Sequence, residues 1–200
     1  ILKHLDPKFL RLFKPQLDTV MTNLTDCHSR DSLALEMAGL WYYSTGRNQE
    51  AASYFKKNVE EYPSSLSASA NLIEFLMYAE MWEELSAEGR KAFANFSNEP
   101  AFLEMASVGD YNLGRYDKVL EMCDKVLEVA PNDSSRTLRA WSTKGDAYHL
   151  MGDAKKSYKS YDKALKINPD YVYVLNNYAY YLSEEGKKLK KAYEMSRKTV

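Results

Sequence analysis

Residues 138–171 form a unit of 34 positions in which two helical stripes are punctuated at fixed places. Trp141, Gly145 and Tyr148 fall on one stripe and Gly152 breaks it. Tyr161 and Ala164 fall on a second stripe, and Pro169 ends it. Trp141, Tyr148, Tyr161 and Leu165 recur at helical spacing and make an apolar face. Gly145 and Ala164 sit within those faces, where small residues let two helix backbones approach closely. Gly152 can take the positive φ that closes a helix, and Pro169 cannot continue one. Two such helices cannot enclose a core alone, so the unit must stack on others like itself. The pattern predicts an all-α chain of stacked helix pairs.

The punctuation recurs along the chain. Pro63 and Pro131 are 68 residues apart, and so are Gly46 and Gly114. Pro131 to Pro169 and Gly114 to Gly152 are both 38. Two independent markers therefore agree on four extra residues, and the Asn-, Asp- and Ser-rich stretch 132–137 reads as a lengthened loop.

Trp141, Gly145 and Tyr148 on a first helix, with Ala164 and Pro169 on a second, resemble the tetratricopeptide repeat. The resemblance implies a right-handed α-α superhelix, a solenoid of helix pairs. Residues 1–31 read as a degenerate N-terminal helix pair, with Pro7 and Pro15 each in a first turn. Residues 32–65 are a full repeat, with Gly39, Tyr42, Gly46, Ala51, Phe55 and Pro63 at the marked places. Residues 66–99 are a degenerate repeat, with Gly89 where an aromatic belongs. Residues 100–137 are a repeat with the loop insertion, 138–171 a repeat, and 172–200 a truncated one. The stretch 175–186 is similar to that of longer bacterial arrays. The chain starts at Ile1 without Met and stops at Val200 inside a helical pattern, so both ends read as cut. The compartment stays open: the resemblance leans to a bacterial envelope, periplasm-facing, with the cytoplasm as the alternative.

Chemistry is sparse. The net charge is −1, so no basic excess points to nucleic acid. No apolar run is long enough to span a membrane. Cys27 and Cys123 do not make a disulfide framework and read as free, half-buried thiols. His4, His28 and His149 are scattered, and no Cys-x-x-Cys or His-x-x-x-His spacing offers a metal nucleus. No Gly-rich phosphate loop and no Gly-x-Ser-x-Gly elbow is present. No cofactor, no metal and no catalytic residue is expected, and the chain reads as a non-enzyme. The basic run Lys187–Lys191 is offset by Glu184, Glu185 and Glu194 and reads as a solvated face.

Function is expected on the concave side of the stack. Helix A positions 2, 5, 6, 9 and 12 face inward in the family. In the first repeats they give Glu36, Leu40 and Tyr43, then Asn71, Glu74 and Met77. Glu104 and Val108 follow, then Arg139, Thr143, Asp146 and His149. Tyr173, Asn176, Asn177 and Tyr180 come last. Relatives that clamp a peptide's terminal carboxylate place Lys and Asn where this chain has Glu36 and Leu40, so that mode is excluded; only Asn71 fits it. Asn176 and Asn177, flanked by Tyr173 and Tyr180, suit hydrogen bonding to an extended peptide. The reading is a scaffold that binds a protein or peptide segment in the groove. Its alternative is a structural arm of a larger enzyme or envelope complex. Self-association through the last helix, by Tyr193 and Met195, is a third option.

Overall fold

The computed structural model describes residues 7–186 and 188–199, with side chains from Leu12 onward. Among the described residues there are eleven helices and no strand. The fold is an all-α solenoid. The chain divides into two compact units, Ile1–Phe96 and Ser97–Val200.

The helices start and stop where short-range chemistry dictates. Asp31, Ser65 and Asp133 sit in extended backbone, and their side chains accept from the N–H of Ala34, Ala68 and Arg136 at 2.9, 3.1 and 2.9 Å. Each satisfies one of the donors that a helix start leaves free. After each first helix of a pair the chain passes through a residue of positive φ. These residues are Gly46, Glu80, Gly114, Gly152 and Gly186, and Lys188 adds a second one after the last of these helices. Glycine takes that conformation freely, whereas Glu80 at φ 55° is strained. Glu80 stands 34 residues from both Gly46 and Gly114, so it keeps the register although the glycine is absent.

The first unit holds α1 (Pro7–Cys27), α2 (Ser32–Ser44), α3 (Asn48–Glu61), α4 (Leu66–Tyr78) and α5 (Trp82–Asn95). Each helix packs on the next. The core is Leu35, Ala38, Trp41, Ala51, Phe55, Leu72, Leu76 and Leu85, all buried. Phe55 stacks on Phe75 with centroids 4.9 Å apart. The expected helix pair in 1–31 is corrected: residues 7–27 are one helix with Pro15 inside it. Proline removes one backbone bond there, but contacts across to α2 and its following turn offset the loss. Met21 and Thr25 are buried. Asp18 accepts from Trp41 Nε1 at 2.7 Å and pairs with Arg47.

The second unit holds α6 (Ala101–Asn112), α7 (Tyr116–Val129), α8 (Ser134–Leu150), α9 (Ala154–Ile167), α10 (Val172–Glu184) and α11 (Leu189–Arg197). Again each packs on the next. One cluster joins Tyr161, Ala164, Val174, Leu175, Tyr178, Leu182, Ala192 and Met195. The lengthened loop at 132–137 is corrected as well, since α8 begins at Ser134. Most of the extra residues extend that helix by about one turn. Asp133 caps it, Arg136 pairs with Asp133 at 3.1 Å, and Thr137 Oγ1 donates to the Asp133 carbonyl at 3.0 Å.

Cys27 is exposed and Cys123 buried, so neither thiol is half-buried as expected. Met195, expected to pair two chains, is instead buried in the cluster, while Leu189 and Tyr193 are 58% and 65% exposed.

Candidate functional site

The second unit contains a concavity of about 290 Å³. Glu104, Met105, Val108 and Tyr111 reach it from α6, and Arg139, Thr143 and Asp146 from α8. Tyr173 reaches it from α10. Glu104, Val108, Arg139, Thr143, Asp146 and Tyr173 are therefore brought together. Tyr111 was missed, although the count that yields Glu104 and Val108 puts it at the next inward position of the same helix.

Asp146 is the chemical centre of this concavity. It is only 4% exposed. Its Oδ1 accepts from Tyr161 Oη at 2.5 Å and from Asn177 Nδ2 at 3.0 Å. Its Oδ2 accepts from Tyr173 Oη at 2.8 Å. Gly145 makes the first bond possible. A Cβ at that position would stand 2.3 Å from Tyr161 Cε1, so only glycine lets the ring lie against α8 and reach the carboxylate. Among the described residues no Lys, Arg or His pairs with Asp146 within 4.0 Å.

The electrostatics follow from burial. Loss of water pushes the Asp146 carboxyl above its ordinary range, and the donors Tyr161, Tyr173 and Asn177 pull the other way without cancelling it. Burial and the neighbouring carboxylate also raise the Tyr161 and Tyr173 phenols. Tyr111 is pushed up to about 12, mainly by burial and then by Asp146. These phenols are donors throughout the physiological range.

The rest of the concavity is neutralised or apolar. Glu104 takes Arg136 Nη1 at 2.8 Å and Arg139 Nη2 at 3.1 Å. Arg139 also donates to Ser135 Oγ at 2.7 Å. Met105, Val108 and Tyr111 are half-buried.

The other expected groove residues are placed differently. Asn177 joins the site through Asp146, so its amide is committed to that carboxylate rather than free for a ligand. His149 stacks on Tyr181 with centroids 3.4 Å apart. Tyr180 is 57% exposed and donates to Glu184 Oε1 at 2.7 Å. Asn176 is exposed. Neither Asn176 nor Tyr180 lines the concavity. In the first unit Glu74 is exposed, and Glu36, Leu40, Tyr43, Asn71 and Met77 are half-buried. Tyr43 meets Phe75 edge-on at 5.4 Å and donates to the Tyr78 carbonyl at 3.4 Å.

A second cleft of about 220 Å³ lies between α8 and α9. Trp141, Tyr148, Lys144, Lys156, Lys159 and Lys163 line it, and Lys163 Nζ stands 3.7 Å from the centre of a Trp141 ring. Lys144 pairs with Asp124 and Lys156 with Asp153. Among the described residues no group of three His, Cys, Asp or Glu could hold a metal ion. No described helix is long and apolar enough to cross a membrane.

Comparison with known proteins agrees with this architecture. Family models described as tetratricopeptide repeat match residues 138–171 and 160–194. The human protein O-mannosyl-transferase TMTC1 is 29% identical over 139 residues, which are 68% of this chain and 15% of that protein. A repeat-containing protein of Methanocaldococcus jannaschii is 25% identical over 160 residues, 80% of this chain and 23% of that one. The chain thus spans less than a quarter of the length of these curated relatives. Among solved structures, MamA from Desulfovibrio magneticus superposes with a TM-score of 0.66 at 16% identity, covering 84% of this chain and 92% of that one. YrrB, described as having an unusual peptide-binding site, gives 0.60 at 16% identity and 90% coverage of both. At these identities the structural likeness speaks for the fold alone.

Proposed function

The chain is a tetratricopeptide-repeat protein, and from that premise we propose that it binds a peptide or protein segment in the concavity around Asp146. The fold is that of a protein–protein interaction scaffold. The observation that carries the finer reading is the convergence of eight inward positions, from three first-of-pair helices, on one hollow of about 290 Å³. YrrB, a structure of the same fold, is described with a peptide-binding site, which supports reading the hollow as a ligand site. Non-enzymatic action fits the chemistry. Asp146 is surrounded by phenols raised above their ordinary range, and these are poor partners for proton transfer near neutrality.

The test is affinity capture from the source cells on the full chain and two variants. Val108→Trp fills the hollow with neutral bulk, and Lys159→Glu alters the separate lysine-lined cleft. A partner lost with Val108→Trp and kept with Lys159→Glu supports the reading. The reverse pattern refutes it and moves recognition to the α8–α9 cleft.

A second reading rests on length. Because the chain covers 15% and 23% of its curated relatives, it also fits as one arm of a larger protein whose activity lies in other parts. The exposed Leu189 and Tyr193 on α11 fit self-association, which size in solution, measured for wild type and Tyr193→Asp, decides.

A further inference from the structure

We infer that the concavity selects a basic residue of its peptide partner, with the Lys or Arg cation seated against Asp146. This rests on the groove reading and adds the chemistry of the ligand. Three observations carry it.

The first is an unmatched charge. Asp146 is a buried carboxylate whose three partners are neutral donors, Tyr161, Tyr173 and Asn177. A buried ion is costly without a counter-charge. No Lys, Arg or His of the described chain stands within ion-pair distance, and His149 acts on Asp146 only from farther off, whereas the groove's other acid, Glu104, already holds two arginines.

The second is capacity. An ionised carboxylate offers about four acceptor positions. Oδ1 has two donors and Oδ2 only Tyr173. One position on Oδ2 remains, and Asp146 lines the hollow.

The third is shape. The hollow is at the small end of ligand pockets, sized for a side chain rather than a whole ligand. Met105, Val108 and Tyr111 offer apolar and aromatic surface beside the carboxylate. A long basic side chain has that same division, an aliphatic stem and a charged head. The chain's own lysines at 144, 156, 159 and 163 line the other cleft and none lines this one.

The experiment is a random-peptide library displayed on phage, selected in parallel on the full chain and on Asp146→Asn. On wild type, selected peptides are expected to share a Lys or Arg. Its replacement by norleucine should weaken binding about tenfold, which is ~1.4 kcal/mol. On Asp146→Asn that ratio should fall to about one. Tyr173→Phe, which keeps the charge and vacates an acceptor position, should retain the basic preference, so the test survives if the asparagine variant folds poorly. Peptides that Val108→Trp blocks but that carry no basic residue overturn this inference and leave the groove reading standing. Enrichment of Asp or Glu overturns it in favour of the Arg139 end. Peptides indifferent to Val108→Trp, or no selected peptides at all, overturn both readings.

Discussion

Gly145→Ala is the sharpest probe of how this repeat is built. On an isolated helix the change stabilises by about 1 kcal/mol. Here the new Cβ would stand 2.3 and 2.4 Å from Cε1 and Cδ1 of Tyr161, atoms in the body of a rigid ring that is fully buried. Overpacking of that severity costs about 3 kcal/mol. The ring can retreat only by drawing its hydroxyl away from Asp146, and a buried carboxylate that loses a donor costs about 1–2 kcal/mol more. The balance is a loss of about 3 kcal/mol, or about 6–12 °C in Tm for a chain of this size. Gly39→Ala is the matched control. Its Cβ would meet the Phe55 ring at 2.8 to 3.0 Å, with no polar group at stake in that contact. Its net loss should be about 1 kcal/mol, because the propensity gain offsets about half of a milder clash of about 2 kcal/mol. Thermal and urea melts followed by far-ultraviolet circular dichroism measure both. If Gly145→Ala matches wild type, or loses less than Gly39→Ala, the reasoning about Tyr161 and Asp146 is wrong.

Three further outcomes are expected. Asp146 has a raised folded-state pKa, so its favourable contribution is complete below the ordinary carboxyl value and is lost as pH rises through the folded one. The Tm of Asp146→Asn relative to wild type should therefore be higher at pH 7 than at pH 4.5; a difference that is flat or reversed contradicts the assignment. Glu80→Gly should stabilise by about 1 kcal/mol, since Glu80 occupies the left-handed conformation that glycine fills in the other turns; a loss of stability in the melt would show that the Glu80 side chain has a role beyond the turn. A thiol reagent should titrate exposed Cys27 at once and Cys123 only on unfolding, since burial pushes the Cys123 thiol up to about 12; two fast thiols would place Cys123 wrongly.

The repeat was legible where punctuation is complete. In 138–171 the Gly, Ala and Pro markers and the apolar stripe all agree, and each helix there ends where its marker stands. Pro15 misled because proline most often opens a helix, whereas here Asp18, Met21 and Thr25 tie the helix down beyond it. The stretch 132–137 misled because its composition suits a loop, while the Asp133 cap starts a helix from the same residues. The inward count found most of the hollow. It could not find the state of Asp146, whose partners lie 15, 27 and 31 residues away and are joined only by packing. That is also why Asn177 reads as free in the sequence and is bonded in the fold.

The proposed entry of partners into the hollow of the second unit can be tested directly. A photo-reactive benzophenone residue at Asn112, exposed on its rim, tests this against the same residue at Lys159 in the lysine-lined cleft and at Tyr193 on α11. With the captured partner bound, irradiation should give an adduct from position 112 and none from 159 or 193. Adducts from 159 or 193 with none from 112 would contradict the account.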